Sequence, residues 1–406
     1  MSINDKNKIN VLIIGAGMYS TGCTVLKGKK ETDKDLGVVL PSILELHQQG
    51  LVGDIYIANR SGQKFVDLKK KLDIMRSKFG WTGKVKLFPN QNESNPNAYK
   101  EALKKISKPA ATIIVTPDFL HKEMMLEAIK NKVHFMVVKP AVTKLRDLEE
   151  IISKQKKAGL LGMVDYHKVY DEANLILKED YESGKYGDIQ HIFSKQTQKR
   201  DMLAIFGNWL DKSVNINHYL GSHYIHLVGF ITKAIPLNVR ATSQFGVAKE
   251  EYSIDTEDLI ETQIIWRAKN GSLFSSYHLA GWSDPSETSG MTYQDIHIIG
   301  TKGHIDSEQR FRGLETVLVD KGQSIINPYF FHLHKGLLGN PELEGKYGFK
   351  SIKTFVKCAL GVANGILIDD FEDKLPTIKN SRTVTAILEA ADKSLANNSE
   401  IISLNL

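Results

Sequence analysis

The chain has 406 residues, 42% of them hydrophobic and 25% charged. This profile fits a globular protein of two or three domains and excludes disordered, collagen-like and disulfide-scaffold classes. The 53 Lys and Arg against 47 Asp and Glu give a net charge of +6 without a long basic block, so we expect no nucleic-acid partner. Two cysteines, Cys23 and Cys358, fit a reducing cytoplasm, and the lack of a signal-like core or a long apolar run predicts no membrane partner.

Up to Pro140, short apolar runs alternate with helix-like stretches. Apolar runs bounded by glycine are typical of strands buried on both faces of a parallel sheet. The alternation predicts an α/β fold with a doubly wound parallel sheet. The predicted strands are Ile9–Ile14, Asp54–Ala58, Lys84–Phe88, Ala111–Val115 and Val133–Val138. The predicted helices are Pro41–Leu51, Phe65–Phe79, Asn97–Ile106, His121–Asn131 and Thr143–Ala158.

From about residue 187 onward the runs become β-branched, aromatic and closely spaced, with turn signals such as Lys269-Asn-Gly271 between them. This pattern predicts a second, α+β domain built on a mostly antiparallel open sheet. Its predicted strands are Asp188–Lys195, Leu237–Phe245, Leu259–Arg267, Ser272–Leu279 and Tyr293–Ile299. A last helix is predicted over Ser381–Asn397, where a capping-type serine precedes an apolar stripe.

A glycine-rich turn follows the first predicted strand, with Gly15 and Gly17 ahead of Met18 and Tyr19. Glycine allows a tight turn and lets backbone N–H groups approach a pyrophosphate, so the turn predicts dinucleotide binding. Ser20 stands where the dinucleotide fingerprint has a third glycine, but it is small enough for close helix packing. A phosphate loop of the Walker A type is excluded, because Cys23 occupies its lysine position.

The second strand ends in Asn59, Arg60 and Ser61. NAD enzymes place an acidic residue here to bind the ribose 2′-hydroxyl. Asn59 has no charge, and Arg60 with Ser61 suits a 2′-phosphate, so the sequence favours NADP over NAD. The alternative is that Arg60 stacks on the adenine or faces solvent.

Three further segments resemble the glucose–fructose oxidoreductase / inositol dehydrogenase (Gfo/Idh/MocA) family. They are Thr116-Pro117-Asp-Phe-Leu-His121, Val133-His-Phe-Met-Val-Val138-Lys139-Pro140 and Gly221-Ser-His223-Tyr-Ile-His226. The resemblance implies a Rossmann domain over residues 1–141, an α+β substrate and oligomerisation domain over 142–377, and a C-terminal helix over 378–406 that returns to the Rossmann domain. It also implies a homo-oligomer, either a dimer or a tetramer.

Lys139 matches the lysine of the family's Glu-Lys-Pro motif, which implies that it relays the proton of the substrate hydroxyl. A lysine in a dry cleft suits that task because burial lowers its pKa. Val138 departs from the motif: it replaces the glutamate and removes a local partner for the lysine or the cofactor.

His223 matches the histidine of the family's Asp-x-x-x-His pattern, a second acid/base beside the substrate hydroxyl. Tyr219 stands where the family has aspartate. A tyrosine can relay a proton but cannot act as a carboxylate base.

The resemblance also implies the remaining site residues. His121 is expected near the nicotinamide ribose, and the substrate is expected to meet His167, Lys168 and His218. The complete set expected to bind the cofactor is Gly15, Gly17, Met18, Tyr19, Asn59, Arg60, Ser61, Thr116, Pro117, His121 and Lys139.

The histidines at 218, 223 and 226 also raise the possibility of a zinc site, since catalytic zinc commonly has three protein ligands. The stretch before His223 is not convincingly helical, and no carboxylate or cysteine lies close in sequence. We therefore expect no metal and interpret His226 as a core or interface residue.

The sequence thus predicts an NAD(P)-dependent dehydrogenase or reductase acting on a sugar, cyclitol or sugar derivative, with Lys139 and His223 handling the proton. Two alternatives stay open. One is a catalytically inactive regulator that binds nicotinamide or sugar, which the changes at Val138 and Tyr219 motivate. The other is redox-assisted glycoside cleavage with a recycled nicotinamide.

Overall fold

The computed structural model describes residues 8–23, 36–206, 215–320, 322–329, 336–337, 339, 343–372 and 374–406. The chain forms two compact units. The first unit comprises the described residues up to Ala141, Leu148–His167 and those of Pro328–Asn380. The second comprises Val142–Asp147, the described residues of Lys168–Asn327, and Ser381–Leu406.

In the described part of the first unit, six parallel strands form a sheet of order β3-β2-β1-β4-β5-β6. The strand order reverses between β1 and β4, and ligands of open α/β sheets bind at the carboxyl ends beside such a reversal. The predicted doubly wound sheet is confirmed. Its strands are β1 Ile9–Ile14, β2 Val52–Ala58, β3 Val85–Phe88, β4 Ala110–Ile114, β5 His134–Val138 and β6 Gly162–Asp165.

Helices connect these strands. The helix over Phe65–Phe79 has the predicted bounds and ends at Gly80, whose φ of 71° gives a left-handed cap. The helices are α1 Met18–Thr21, α2 Val39–Gln48, α3 Phe65–Phe79, α4 Ala98–Lys105, α5 His121–Lys130 and α6 Leu145–Ala158.

In the described part of the second unit, seven strands form a sheet of order β12-β11-β7-β10-β9-β8-β15. The pair β7/β10 is parallel and the other described pairs are antiparallel, so the expected mostly antiparallel sheet is confirmed. The strands are β7 Ile189–Lys199, β8 Ile235–Gln244, β9 Leu259–Arg267, β10 Leu273–Asp284, β11 Thr292–Gly300, β12 His304–Glu308 and β15 Ile402–Ser403, with a separate hairpin of β13 Glu315–Leu318 and β14 Gly322–Ile325. The helices after α6 are α7 Glu172–Glu182, α8 Asp201–Phe206, α9 Ser222–Thr232, α10 Val247–Tyr252, α11 Phe349–Ala363, α12 Asp369–Glu372 and α13 Arg382–Ala396.

The chain returns to the Rossmann unit, but with an earlier segment than the sequence predicted. The returning segment includes α11, whose Phe349 and Phe355 are buried in the core of the first unit. The last helix, α13, instead packs on β8 and α9 of the second unit, and β15 then pairs with β8. The expected return of residues 378–406 is therefore wrong. The apolar stripe of α13 was visible in the sequence, but helical periodicity does not specify which surface the stripe covers.

Within the described residues, no helix is long and apolar enough to cross a membrane.

Candidate functional site

The glycine turn between β1 and α1 has the geometry of a phosphate-binding turn. Gly15 has φ of 103°, and a Cβ there would lie 2.1 Å from the carbonyl oxygen of Val115, so only glycine fits. A Cβ on Gly17 would meet open space, which leaves its backbone accessible. Ser20 closes the turn: its Oγ accepts from the Gly17 N–H at 2.9 Å and donates to the Gly17 carbonyl at 3.1 Å. The turn therefore leaves open space beside Gly17 for a pyrophosphate, while the Gly17 N–H itself is bonded to Ser20.

The helix after this turn is split. Helix α1 ends at Gly22, in the left-handed region, and α2 begins only at Val39. The two pieces are joined directly, since the Val38 N–H donates to the Tyr19 carbonyl at 2.7 Å. A Cβ on Gly37 would lie 2.7 Å from the Gly22 nitrogen, so the junction is close-packed.

The end of β2 braces the glycine turn. Asn59 Oδ1 accepts from the Ala16 N–H at 3.3 Å, and its Nδ2 donates to the Ser61 carbonyl at 2.8 Å. The Ser61 hydroxyl accepts from the Gln63 N–H and so caps a short 3₁₀ turn. Arg60 is exposed, and its guanidinium makes no ion pair or hydrogen bond within the described residues. Asn59 is thus engaged in structure, while Arg60 is available to an anion.

His121 ties together the ends of β4 and β5. Its ring is buried, with Nε2 at 2.9 Å from the Thr116 carbonyl and Nδ1 at 2.9 Å from the Pro140 carbonyl. Burial lowers the pKa of His121, although Asp118 and the carbonyls oppose that effect. His121 therefore holds the backbone of the Lys139-Pro140 segment in place, and Pro117 begins the short 3₁₀ turn that leads to it.

Lys139 directly follows β5, and a buried acid lies beside it on β6. The strands are in parallel register with Val138 opposite Asp165. Asp165 is 3% exposed and accepts from the Tyr19 hydroxyl at 2.7 Å and from the Ser351 hydroxyl at 2.6 Å. Burial raises the pKa of Asp165, and the two hydroxyls and the charge of Lys139 oppose the rise. Asp165 was not among the predicted site residues, although it ends a short apolar run, as the last residue of a buried strand does.

His167 follows β6 and lies in the first unit. Its ring is 4.3 Å from the ring of Tyr347, centroid to centroid, and its Nε2 meets the Tyr347 hydroxyl. Tyr347 in turn contributes to raising the pKa of Tyr19, after burial and Asp165. Residues from the glycine turn, the end of β6 and the α11 region therefore form one connected polar group.

In the second unit the segment before α9 is a π-helical turn over Asn217–Gly221, which differs from the non-helical stretch the sequence indicated. His218 is buried in this turn, with Nε2 at 3.0 Å from Asp392 Oδ2. Burial tends to raise the pKa of Asp392, but His218 and the amide of Asn215 outweigh it and hold that pKa below its usual value. The sequence did not predict Asp392 as a partner of His218, because Asp392 lies on α13, 174 residues further along the chain.

The turn brings Tyr219 and His223 to the start of α9. The Tyr219 ring lies 6.3 Å from that of Trp282, and His223 is buried. Their neighbours Asn217, Ser222 and Tyr224 bury side-chain polar atoms that have no hydrogen-bond partner within the described residues. Buried polar groups normally have partners, so such a cluster indicates a place where a ligand or ordered water provides them.

Lys168 lies in the second unit and is buried. Its Nζ donates a hydrogen bond to Gln294 Oε1 at 2.6 Å, and it also lies 4.6 Å from the centroid of the Tyr224 ring. Burial lowers the pKa of Lys168 to about 7; Asp171 opposes this effect and Arg312 adds to it. An amine with a pKa near neutrality can both donate and accept a proton at physiological pH.

The third histidine of the possible zinc set is a core residue. Burial, aided by Lys233, lowers the pKa of His226 to about 3, and its ring stacks on Phe230. Across the described residues, no group of three or more His, Cys, Asp or Glu side chains is placed to hold a metal ion.

The parallel sheet and the glycine turn at its strand-order reversal are the features of a dinucleotide-binding Rossmann domain. Residues 9–166 match the model of the family described as "Oxidoreductase family, NAD-binding Rossmann fold". The match covers the segment that contains the glycine turn and Lys139, and it agrees with the family resemblance that the motifs indicated.

Solved structures share the fold over nearly the whole chain. Myo-inositol 2-dehydrogenase from Lactobacillus plantarum aligns with a TM-score of 0.67 and 14% identity over 98% of this chain and 100% of its own. Scyllo-inositol dehydrogenase from Lactobacillus casei, with bound NAD(H) and scyllo-inositol, gives 0.65 and 14% over 98% and 99%. The WlbA dehydrogenase from Bordetella pertussis, in complex with NADH and UDP-GlcNAcA, gives 0.64 and 16% over 98% and 99%.

Proposed function

We propose that the protein is an NAD(P)-dependent dehydrogenase or reductase that transfers a hydride between the nicotinamide and a carbon of a sugar, cyclitol or sugar derivative. A bound nicotinamide supplies the hydride acceptor or donor. The observation that carries the proposal is Lys139 at the carboxyl end of β5, on the same sheet edge as the glycine turn. A proton-handling amine is what alcohol oxidation needs beside a hydride acceptor.

The glycine turn would hold the pyrophosphate in the space beside Gly17, which no Cβ fills. We propose NADP as the preferred cofactor, because the exposed guanidinium of Arg60 is available to a 2′-phosphate and no carboxylate stands at Asn59 to repel one.

Lys139 takes the proton from the substrate hydroxyl on oxidation and returns it on reduction. His223 acts as a second acid/base from the first turn of α9, with Tyr219 as a relay in place of a carboxylate. Lys168, whose pKa burial lowers to about 7, is a further proton donor or hydrogen-bond donor for the substrate.

The buried amide and hydroxyls of Asn217, Ser222 and Tyr224 support a polyhydroxylated substrate, since hydroxyl groups can donate to and accept from all three. The names of the structural neighbours agree in class: two act on inositols and one was solved with a nucleotide sugar acid.

The test is a screen of inositols, aldoses and nucleotide sugars with NAD⁺ and NADP⁺, following the absorbance of the reduced nicotinamide. We expect turnover with at least one substrate and its loss in Lys139→Ala. Cofactor binding without turnover on any substrate, and no effect of Lys139→Ala, would refute the proposal.

The second candidate is a regulator that binds cofactor or sugar without turnover, favoured by Val138 and Tyr219 in place of acidic residues. The same screen separates the two functions. Cleavage of a glycoside with no net formation of reduced nicotinamide would instead identify the redox-assisted hydrolase.

A further inference from the structure

Asp165 stands at the position on β6 that faces the residue before Lys139. The parallel register of β5 and β6 places Val138 opposite Asp165, and both strands end at this edge of the sheet. A carboxylate missing from one strand can therefore be replaced from the neighbouring strand at the same height.

The donors to Asp165 in the structure are hydroxyl groups. Tyr19 donates to Oδ2 at 2.7 Å and Ser351 donates to Oδ1 at 2.6 Å. Hydroxyl donors stabilise an ionised carboxylate without neutralising its charge. The positive charge that acts on Asp165 is that of Lys139.

Other titratable groups around this acid contact each other. Tyr347 acts on Tyr19, and its own hydroxyl meets the ring of His167. Burial raises the pKa of Tyr19 well above its usual value, and Asp165 raises it further, so Tyr19 stays a hydrogen-bond donor. Among the groups that shift the pKa of Asp165, Lys139 acts through its charge.

We propose that Asp165 is the positioning residue for Lys139, holding its ammonium by opposite charge from the neighbouring strand and linking it through Tyr19 to the glycine turn. This assignment rests on the proposed function: Asp165 favours the protonated Lys139 that returns a proton on reduction, and Lys139 must release that proton before it can accept one from the substrate hydroxyl on oxidation. It also accounts for Val138: the acidic partner has moved to the adjacent strand.

The test measures the charge state of Lys139 without cofactor or substrate. The intact apoprotein is labelled with trace acetic anhydride, which reacts with the neutral amine, over a series of pH values, and each lysine is quantified by peptide mass spectrometry. We expect Lys139 in Asp165→Asn to be labelled about tenfold faster than in the native protein near pH 8, since a nearby opposite charge favours the protonated amine by about that factor or more. Lys108 lies ahead of β4, at the opposite edge of the sheet, and its labelling should not change.

A rescue separates charge from accessibility. In Val138→Glu/Asp165→Asn the carboxylate is restored on the other strand, and the labelling rate of Lys139 should return to within about threefold of the native rate. Native-rate labelling in Asp165→Asn, or a double variant that stays as fast as Asp165→Asn, overturns the proposal.

If Asp165→Asn does not fold, Tyr19→Phe/Ser351→Ala removes both hydroxyl donors and leaves the acid buried, where it takes up a proton. Labelling of Lys139 should then rise, and an unchanged rate overturns the proposal. Because no step uses substrate, a protein without turnover can still show the Asp165–Lys139 coupling, and an active enzyme can still lack it.

Discussion

Replacing Lys168 with methionine should change the pH dependence of stability of the protein. The folded protein holds this amine with a pKa of about 7, lowered by burial from 10.5. The unfolded chain therefore binds more protons than the folded one between about pH 7 and pH 10.5, and stability rises with pH through that window. At about 1.4 kcal/mol for each pKa unit, the buried amine costs roughly 4 kcal/mol at pH 7 and less than about 1 kcal/mol at pH 10.

Lys168→Met removes this titration and keeps much of the side-chain volume. The loss of the hydrogen bond to Gln294 and of the contact with the Tyr224 ring adds an offset that hardly depends on pH. The assay is urea unfolding of both proteins at several pH values. We expect the native protein to gain about 3 kcal/mol relative to Lys168→Met between pH 7 and pH 10.

Lys249→Met is the matched control, because Lys249 is exposed on α10 of the same unit. Its difference from the native protein should be flat with pH. A flat difference for Lys168→Met as well would show that Lys168 is an ordinary charged lysine in the folded state, and would remove it as a proton donor near neutral pH.

Gly15→Ala should abolish nicotinamide binding, because the added Cβ would meet the Val115 carbonyl, and the backbone strain should cost at least roughly 1–3 kcal/mol of stability. Binding is measured by the fluorescence of the reduced nucleotide, and native-like binding would contradict the fit of the turn. Arg60→Ala should weaken NADP binding about 10- to 100-fold and leave NAD binding within about twofold, since one charge-assisted phosphate contact is lost; equal losses for both cofactors would place Arg60 elsewhere. Asp392→Asn should destabilise the protein by about 1–3 kcal/mol at neutral pH through its contact with His218. The pKa of Asp392 is held low in the folded state, so this contribution should fade as pH drops below about 4, and a difference that persists in acid would refute the charged pair.

Local pattern was sufficient to predict the first five strands of the first unit, but not that α11 belongs to it. Short apolar runs marked the strands, and the helix-like stretches between them marked helices such as α3, whose Leu68, Leu72 and Met75 are buried. Such signals are contained within a few residues, and the doubly wound topology follows from their alternation. The glycine turn was found because it lies directly after a strand, whereas Lys139 was found through its match to the family's Glu-Lys-Pro motif.

The site residues that were not predicted from the sequence bind partners that are far away along the chain. Asp165 acquires its partners from segments 146 residues before it and 186 residues after it, at Tyr19 and Ser351. Asp392 meets His218 from a helix 174 residues away. Local sequence patterns carry no information about contacts between residues so far apart in the chain. The π-helical turn is likewise set by packing against the sheet, with Gly221 making room for the Asn217 side chain, where a Cβ would lie 2.0 Å from its Oδ1.

The split between α1 and α2 has a consequence for how this protein can evolve. Gly22 and Gly37 lie against each other, so the chain leaves and re-enters the Rossmann core at nearly one point. A segment inserted between two such touching ends closes a loop, and the entropy of loop closure changes slowly with length. The length and composition of the stretch between them can therefore change at little cost to the glycine turn, since Gly22 and Gly37 fix where the chain leaves and re-enters the core.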